Sequence, residues 1–161
     1  MTAAWTVLRP WAFRGLVAAL LVLVPGGVQA EERGTARDAQ ELVRRAIELY
    51  DTMGLRAFFL ISWDPSYIHH DLYVFVLDRI GSVAANGLDP RLVGMNALNV
   101  RDPEGVRYVR EMLQRATPDG VWIDYISFDP FAGKPAPKSS WVVRHDGFIF
   151  GCGIFAGDIS I

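Results

Sequence analysis

Apolar positions from residue 39 onward recur with a helical period. Ala39, Leu42, Val43, Ala46, Ile47, Tyr50 and Met53 make one stripe, and Arg37, Glu41, Arg44, Arg45, Glu48 and Asp51 fill the other face. Thr35, with Asp38 three residues on, forms a capping-box start. Gly54 is a natural stop. Leu55 to Ser62 is apolar throughout and predicts a short buried helix ended by Trp63-Asp64-Pro65.

The period then changes. Leu72 to Asp78 is β-branched and aromatic and apolar on both faces, so it predicts a strand inside a covered sheet or beside a ligand cavity. Ile80 to Val100 has no clear period and reads as a long loop; its apolar residues (Leu88, Leu92, Val93, Met95 and Leu98) argue against disorder and for a lid or binding loop. Asp102-Pro103-Glu104 predicts a helix start, with Val106, Val109, Leu113 and Ala116 as its stripe and Pro118-Asp119-Gly120 as its end. Val121 to Phe128 predicts a strand, and Asp129 to Pro137 a turn-rich link. Ser139 to Arg144 and Phe148 to Phe155 predict two strands joined around Asp146-Gly147, a strong hairpin signal. The order helix, short helix, strand, long loop, helix, strand, hairpin gives an α+β domain: an antiparallel sheet with helices on its faces.

Composition sharpens this picture at one end. The chain has 161 residues and is 51% hydrophobic, and residues 1–30 supply much of that excess. Arg9 and Arg14 precede an apolar run from Leu16 to Val24, broken by Pro25-Gly26-Gly27 and followed by Val28-Gln29-Ala30. This is the three-part pattern of a secretory signal peptide, expected to be cleaved after Ala30. A spanning helix needs roughly 20 apolar residues. The expected organisation is therefore a signal peptide over 1–30 and one domain over 31–161, exported to the periplasm. That domain carries 14 basic and 18 acidic side chains, which offers no basic face for nucleic acid or anionic membrane. The single cysteine, Cys152, excludes an internal disulfide framework.

Candidate chemistry is sparse. His69 and His70 are adjacent on an extended segment and point in opposite directions, so they do not share a metal; no metal or cofactor is expected. No nucleophile elbow or carboxylate dyad stands out, so no enzyme is expected. An exported hydrolase would need His69, His145 and an acid to converge on a serine. What is concentrated is aromatic: ten rings, Trp122, Tyr125 and Trp141 among them, fall on or beside four predicted strands. The only lysines, Lys134 and Lys138, precede the third of these strands. Aromatic walls with a fixed cation suit a small carboxylate.

Several motifs, in order, resemble the single Cache domain of type 2. They are Glu41-Leu42-Val43 to Tyr50; Gly54; Ala57-Phe58; Asp71 to Asp78; Gly94-Met95-Asn96; Arg101 to Gly105; Gly120 to Tyr125; Lys138 to Val142; and Gly147 with Gly151 to Phe155. The resemblance covers about residues 36 to 155. It implies a long N-terminal helix packed on a PAS-like antiparallel sheet of about five strands, and extracytoplasmic sensing of small molecules, often short organic acids. The chain ends six residues after Phe155, so a free-standing secreted form acting through a separate receptor, sensor kinase or transporter is expected. By position, Trp122, Tyr125 and Lys138 match the family's Trp-x-x-Tyr and Lys-x-Ser motifs and become pocket candidates. Tyr73, Arg91, Asn96 and Trp141 form a second tier, because the strand and the long loop should border the same pocket. Asn86 stands where relatives often carry His, and Trp141 where Tyr is more usual. On a regular strand Trp122 and Tyr125 cannot both point into one cavity. The rival reading is a ligand-independent module that docks on a partner through its sheet or first helix, a face that would also allow a homodimer.

Overall fold

The structure is a computed structural model that describes residues 33–156; the expected signal peptide lies outside them. Helix α1 spans Ala36–Met53. The Thr35 side chain accepts from the Asp38 backbone N–H and the Asp38 carboxylate accepts from the Thr35 N–H, so the capping box forms. Gly54 ends the helix at φ 59°, a conformation that favours glycine. Helix α2 is Arg56–Trp63. It buries Ala57 and Ile61 but leaves Leu55, Phe59 and Trp63 each about two-thirds exposed, so the segment expected to be wholly buried is amphipathic.

Six strands follow: β1 Ile68–His69, β2 Leu72–Leu77, β3 Val83–Asn86, β4 Val121–Asp129, β5 Lys134–His145 and β6 Phe148–Phe155. All pair antiparallel, in the order β1-β2-β6-β5-β4, with β3 also on β2. The pattern of the sequence places four of these strands and the resemblance implies about five; the two not placed are β1 and β3, the latter inside the segment read as loop. The rest of that segment folds back on β3, with Gly94 N–H donating to the Val83 carbonyl and Val83 N–H to the Met95 carbonyl. The expected link at 129–137 is likewise shorter, since β5 begins at Lys134 and pairs with β4 as far as Asp129.

Helix α3 is Tyr108–Arg115, five residues later than a cap at Asp102 suggests. The Asp102 carboxylate instead accepts from the backbone N–H groups of Glu104, Val106 and Ile126. It therefore closes a turn and ties it to β4. The Ile126 N–H, ahead of the opposing effect of burial, holds this carboxyl below the usual aspartate range.

Strand alternation divides the sheet into two faces. On one, Leu72, Val74, Val76, Phe150 and Cys152 pack under Ala39, Leu42, Val43, Ala46 and Tyr50 of α1. On the other, Phe75, Leu77, Ile123, Val142 and Ile149 pack under Val109 and Met112 of α3. The outward face of α1 carries exposed Arg37, Gln40, Glu41 and Arg44. Gly151, paired with Phe75, has no room for a side chain: an added Cβ would meet the Phe75 ring. Gly151→Ala is expected to cost about 1–3 kcal/mol through overpacking, measurable as a lower urea midpoint.

Candidate ligand-binding site

The α3 face of the sheet does not pack completely. A cavity of about 330 Å3 lies between β2, β3, β4, α3 and the loop after β3. Tyr73, Phe75 and Leu77 enter it from β2, because alternate residues share a face. Tyr108, Val109 and Met112 close it from α3, and Leu92, Met95, Ala97 and Val100 from the loop. The aromatic side chains stack at one end, where the Tyr108 and Tyr125 rings are parallel within 9° at 4.4 Å.

The polar groups converge at that same end. Lys138 sits opposite Tyr125 in the β4–β5 register, hence on the cavity face. It is only 2% exposed. Its ammonium donates to the Tyr73 hydroxyl at 2.8 Å and lies over the Tyr73 and Phe155 rings at 4.1 and 4.6 Å. Among the described residues no carboxylate lies within ion-pair distance of it. The Tyr125 hydroxyl shares a 3.0 Å hydrogen bond with buried Ser140. Burial pushes both phenols up to about 12: for Tyr73 unopposed, for Tyr125 against the lowering effect of Lys138. Both stay protonated at neutral pH and can donate. Because the Tyr73 oxygen accepts from Lys138, its own proton is directed elsewhere.

Gly153 keeps this end open. An added Cβ there would meet the Ser140 hydroxyl and the Lys138 side chain. A second, larger groove of about 530 Å3 runs along β4 and includes Lys138, Tyr125, Asp102, Asp124 and Ser139. Asp124 and Ser139 point to the opposite face from Tyr125 and Lys138, so this groove wraps the edge strand rather than entering one face.

The residues singled out in the sequence separate accordingly. Tyr73, Tyr125 and Asn96 line the 330 Å3 cavity, and Lys138 reaches it through Tyr73. The Asn96 amide is occupied within its loop, donating to the Ile80 carbonyl and Ser82 and accepting from Leu98. Trp122 and Trp141 pair across β4–β5 with rings 5.4 Å apart and pack on the α1 side of the sheet. They do not face the cavity, and the question of which of Trp122 and Tyr125 points inward resolves to Tyr125. Arg91 is 88% exposed, pairs with Asp89 at 2.8 Å and lies outside the cavity.

Sequence reasoning missed Asn86, Tyr108 and Ser127 as lining residues. Asn86 sits opposite Phe75 in the β2–β3 pairing, on the cavity face. Its side-chain oxygen accepts from the N–H groups of Leu88 and Asp89, and among the described residues its side-chain nitrogen donates no hydrogen bond. The signal was present, since Asn86 is the polar end of a short apolar run, but the run was too short to register as a strand.

The family model of the single Cache domain 2 matches residues 12–160. The chain belongs to that family. Solved structures agree on the fold. A methyl-accepting chemotaxis protein from Vibrio parahaemolyticus superposes with a TM-score of 0.64 at 20% identity, over 77% of this chain and 90% of the other. A periplasmic sensor domain of a chemotaxis protein gives 0.58 at 22%, over 75% and 94%. A Cache chemosensory domain described by its recognition of carboxylic acids gives 0.61 at 18%, over 75% and 92%. Cache domains are signalling and ligand-binding modules of extracytoplasmic sensors, and this Cache domain has their α+β, PAS-like architecture. Among its described residues no helix is long and apolar enough to cross a membrane.

Proposed function

We propose that this Cache domain is a periplasmic sensor module that binds a small organic acid and acts through a separate receptor, sensor kinase or transporter. One observation carries the reading: a buried ammonium, Lys138, has no counter-ion among the described residues and lies directly behind a cavity-lining phenol. Burying a charge is costly unless it is paired, and a ligand carboxylate would supply the pair. The Tyr73 hydroxyl donates to that carboxylate while accepting from Lys138, so the charge acts through a fixed hydrogen bond. Tyr125 and the side-chain nitrogen of Asn86 are further donors. The module acts by binding rather than by catalysis. The resemblance to a domain described as recognising carboxylic acids supports the same ligand class.

The rival reading, a docking module without a ligand, has one observation in its favour, the exposed apolar row of Leu55, just before α2, with Phe59 and Trp63 on it. The first helix offers less, because its outward face is charged.

Thermal-shift screening of the purified protein against organic acids, amino acids and sugars tests the choice. An acid at 100 times its dissociation constant is expected to add about 2.7 kcal/mol of stability. A screen in which no acid raises the midpoint favours docking alone.

A further inference from the structure

The cavity specifies more than a carboxylate. It holds about 330 Å3, many times the ~30 Å3 that one water takes up in the liquid. Acetate or propionate would leave much of that space unfilled. The cavity is also polarised along β2. Tyr73 and Tyr125 mark the end that Lys138 charges, while Leu77 and its β3 partner Val83 lie at the other, and Met112 lines the cavity one turn along α3 from Tyr108. Tyr73 and Leu77 are four residues apart on one strand, about 13 Å at ~3.3 Å per residue, the reach of an extended chain of medium length. No Asp, Glu, Arg or His lines this cavity among the described residues. An α-amino acid would therefore bring an ammonium with no carboxylate to meet it. A dicarboxylate would bring a second anion to an end with no cation among the described residues, where the Asn96 amide is already engaged with Ile80 and Ser82, and either burial is costly.

We propose that the acid recognised here is a monocarboxylate with an apolar tail, a medium-chain alkanoate or an arylalkanoate. It lies head towards Tyr73 and tail towards Leu77, Val83 and Met112. This inference rests on the acid-sensing reading above. The loop carrying Leu92, Met95, Ala97 and Val100 covers the tail, so chain length is read by apolar burial and charge by Lys138.

Isothermal titration of the full chain after exhaustive dialysis tests this, with propionate, hexanoate, octanoate, phenylpropionate, succinate, phenylalanine and octanol as probes. Affinity is expected to rise about three- to fourfold per added methylene, making octanoate, five methylenes longer, roughly 250- to 1,000-fold tighter than propionate. Phenylpropionate should bind well, and succinate and phenylalanine weakly. Ala97→Phe, which narrows the tail end, should weaken octanoate by about tenfold and spare propionate. Propionate or succinate binding as tightly as octanoate would overturn the tail assignment and leave acid sensing standing. Octanol binding as tightly as octanoate would overturn acid sensing and leave an apolar cavity. Binding of none of the acids would overturn both.

Discussion

Replacing Arg33 with alanine is expected to cost about 3 kcal/mol of folding stability. Arg33 bridges two carboxylates, Asp71 at 3.0 Å and Asp129 at 2.8 Å, whose side chains are 3% and 2% exposed. Removing the cation leaves both buried and short of positive charge. The value lies at the low end for a buried pair because about a third of the Arg33 side chain is open to solvent, which screens part of the interaction. The bridge joins the chain entering α1 to the β1–β2 turn and to the β4–β5 hairpin, so three segments loosen together. Burial pushes the Asp129 carboxyl up, but the N–H groups of Ala132 and Phe131 together with Arg33 outweigh it and hold it below the ordinary value. A depressed carboxyl stabilises the fold above the ordinary aspartate range, about pH 4, and that contribution fades as pH falls through the depressed value. Urea unfolding near neutral pH and again in acid should show a large gap between wild type and Arg33→Ala that narrows in acid. A gap that stays constant would contradict the bridge.

Lys138→Met is expected to move stability and binding in opposite directions. The ammonium is buried, with one hydrogen bond and two ring faces as its partners among the described residues. A methionine of similar shape removes a desolvated charge, at the loss of the bond to Tyr73. The ligand-free protein should gain about 1–2 kcal/mol. Acid binding should fall about 10- to 100-fold, the worth of a charge-assisted hydrogen bond. Such an inverse pair is the mark of a residue kept for function at the expense of stability. Thermal melts with and without octanoate read both effects. A variant that is less stable and still binds acid would assign Lys138 a purely structural role.

The elements with a strong period or a named turn were legible in the sequence. The Thr35–Asp38 box, the Gly54 stop, the β2 run and the Asp146-Gly147 hairpin are each written in local residues that act over a few positions. What the sequence hid depends on distant partners. β3 is four residues long and becomes a strand because β2 supplies its hydrogen bonds. Asp102 looks like a helix cap, but the Ile126 N–H from β4 competes for its carboxylate. The site divided in the same way. Lys138 and Tyr125 are cross-strand neighbours, a relation that only the register reveals. That register also pairs Trp122 with Trp141 on the far face. Alternation along β4 had already made Trp122 and Tyr125 exclusive, without saying which faced inward.

The central claim, that the Lys138 end of the cavity is built for a carboxylate, is tested most directly by titrating the protein at neutral pH with octanoate and with octanamide. The two share tail, size and shape and differ in charge. The carboxylate is expected to bind at least about tenfold tighter, the low end of a charge-assisted hydrogen bond. Equal affinities, or a preference for the amide, would contradict the account.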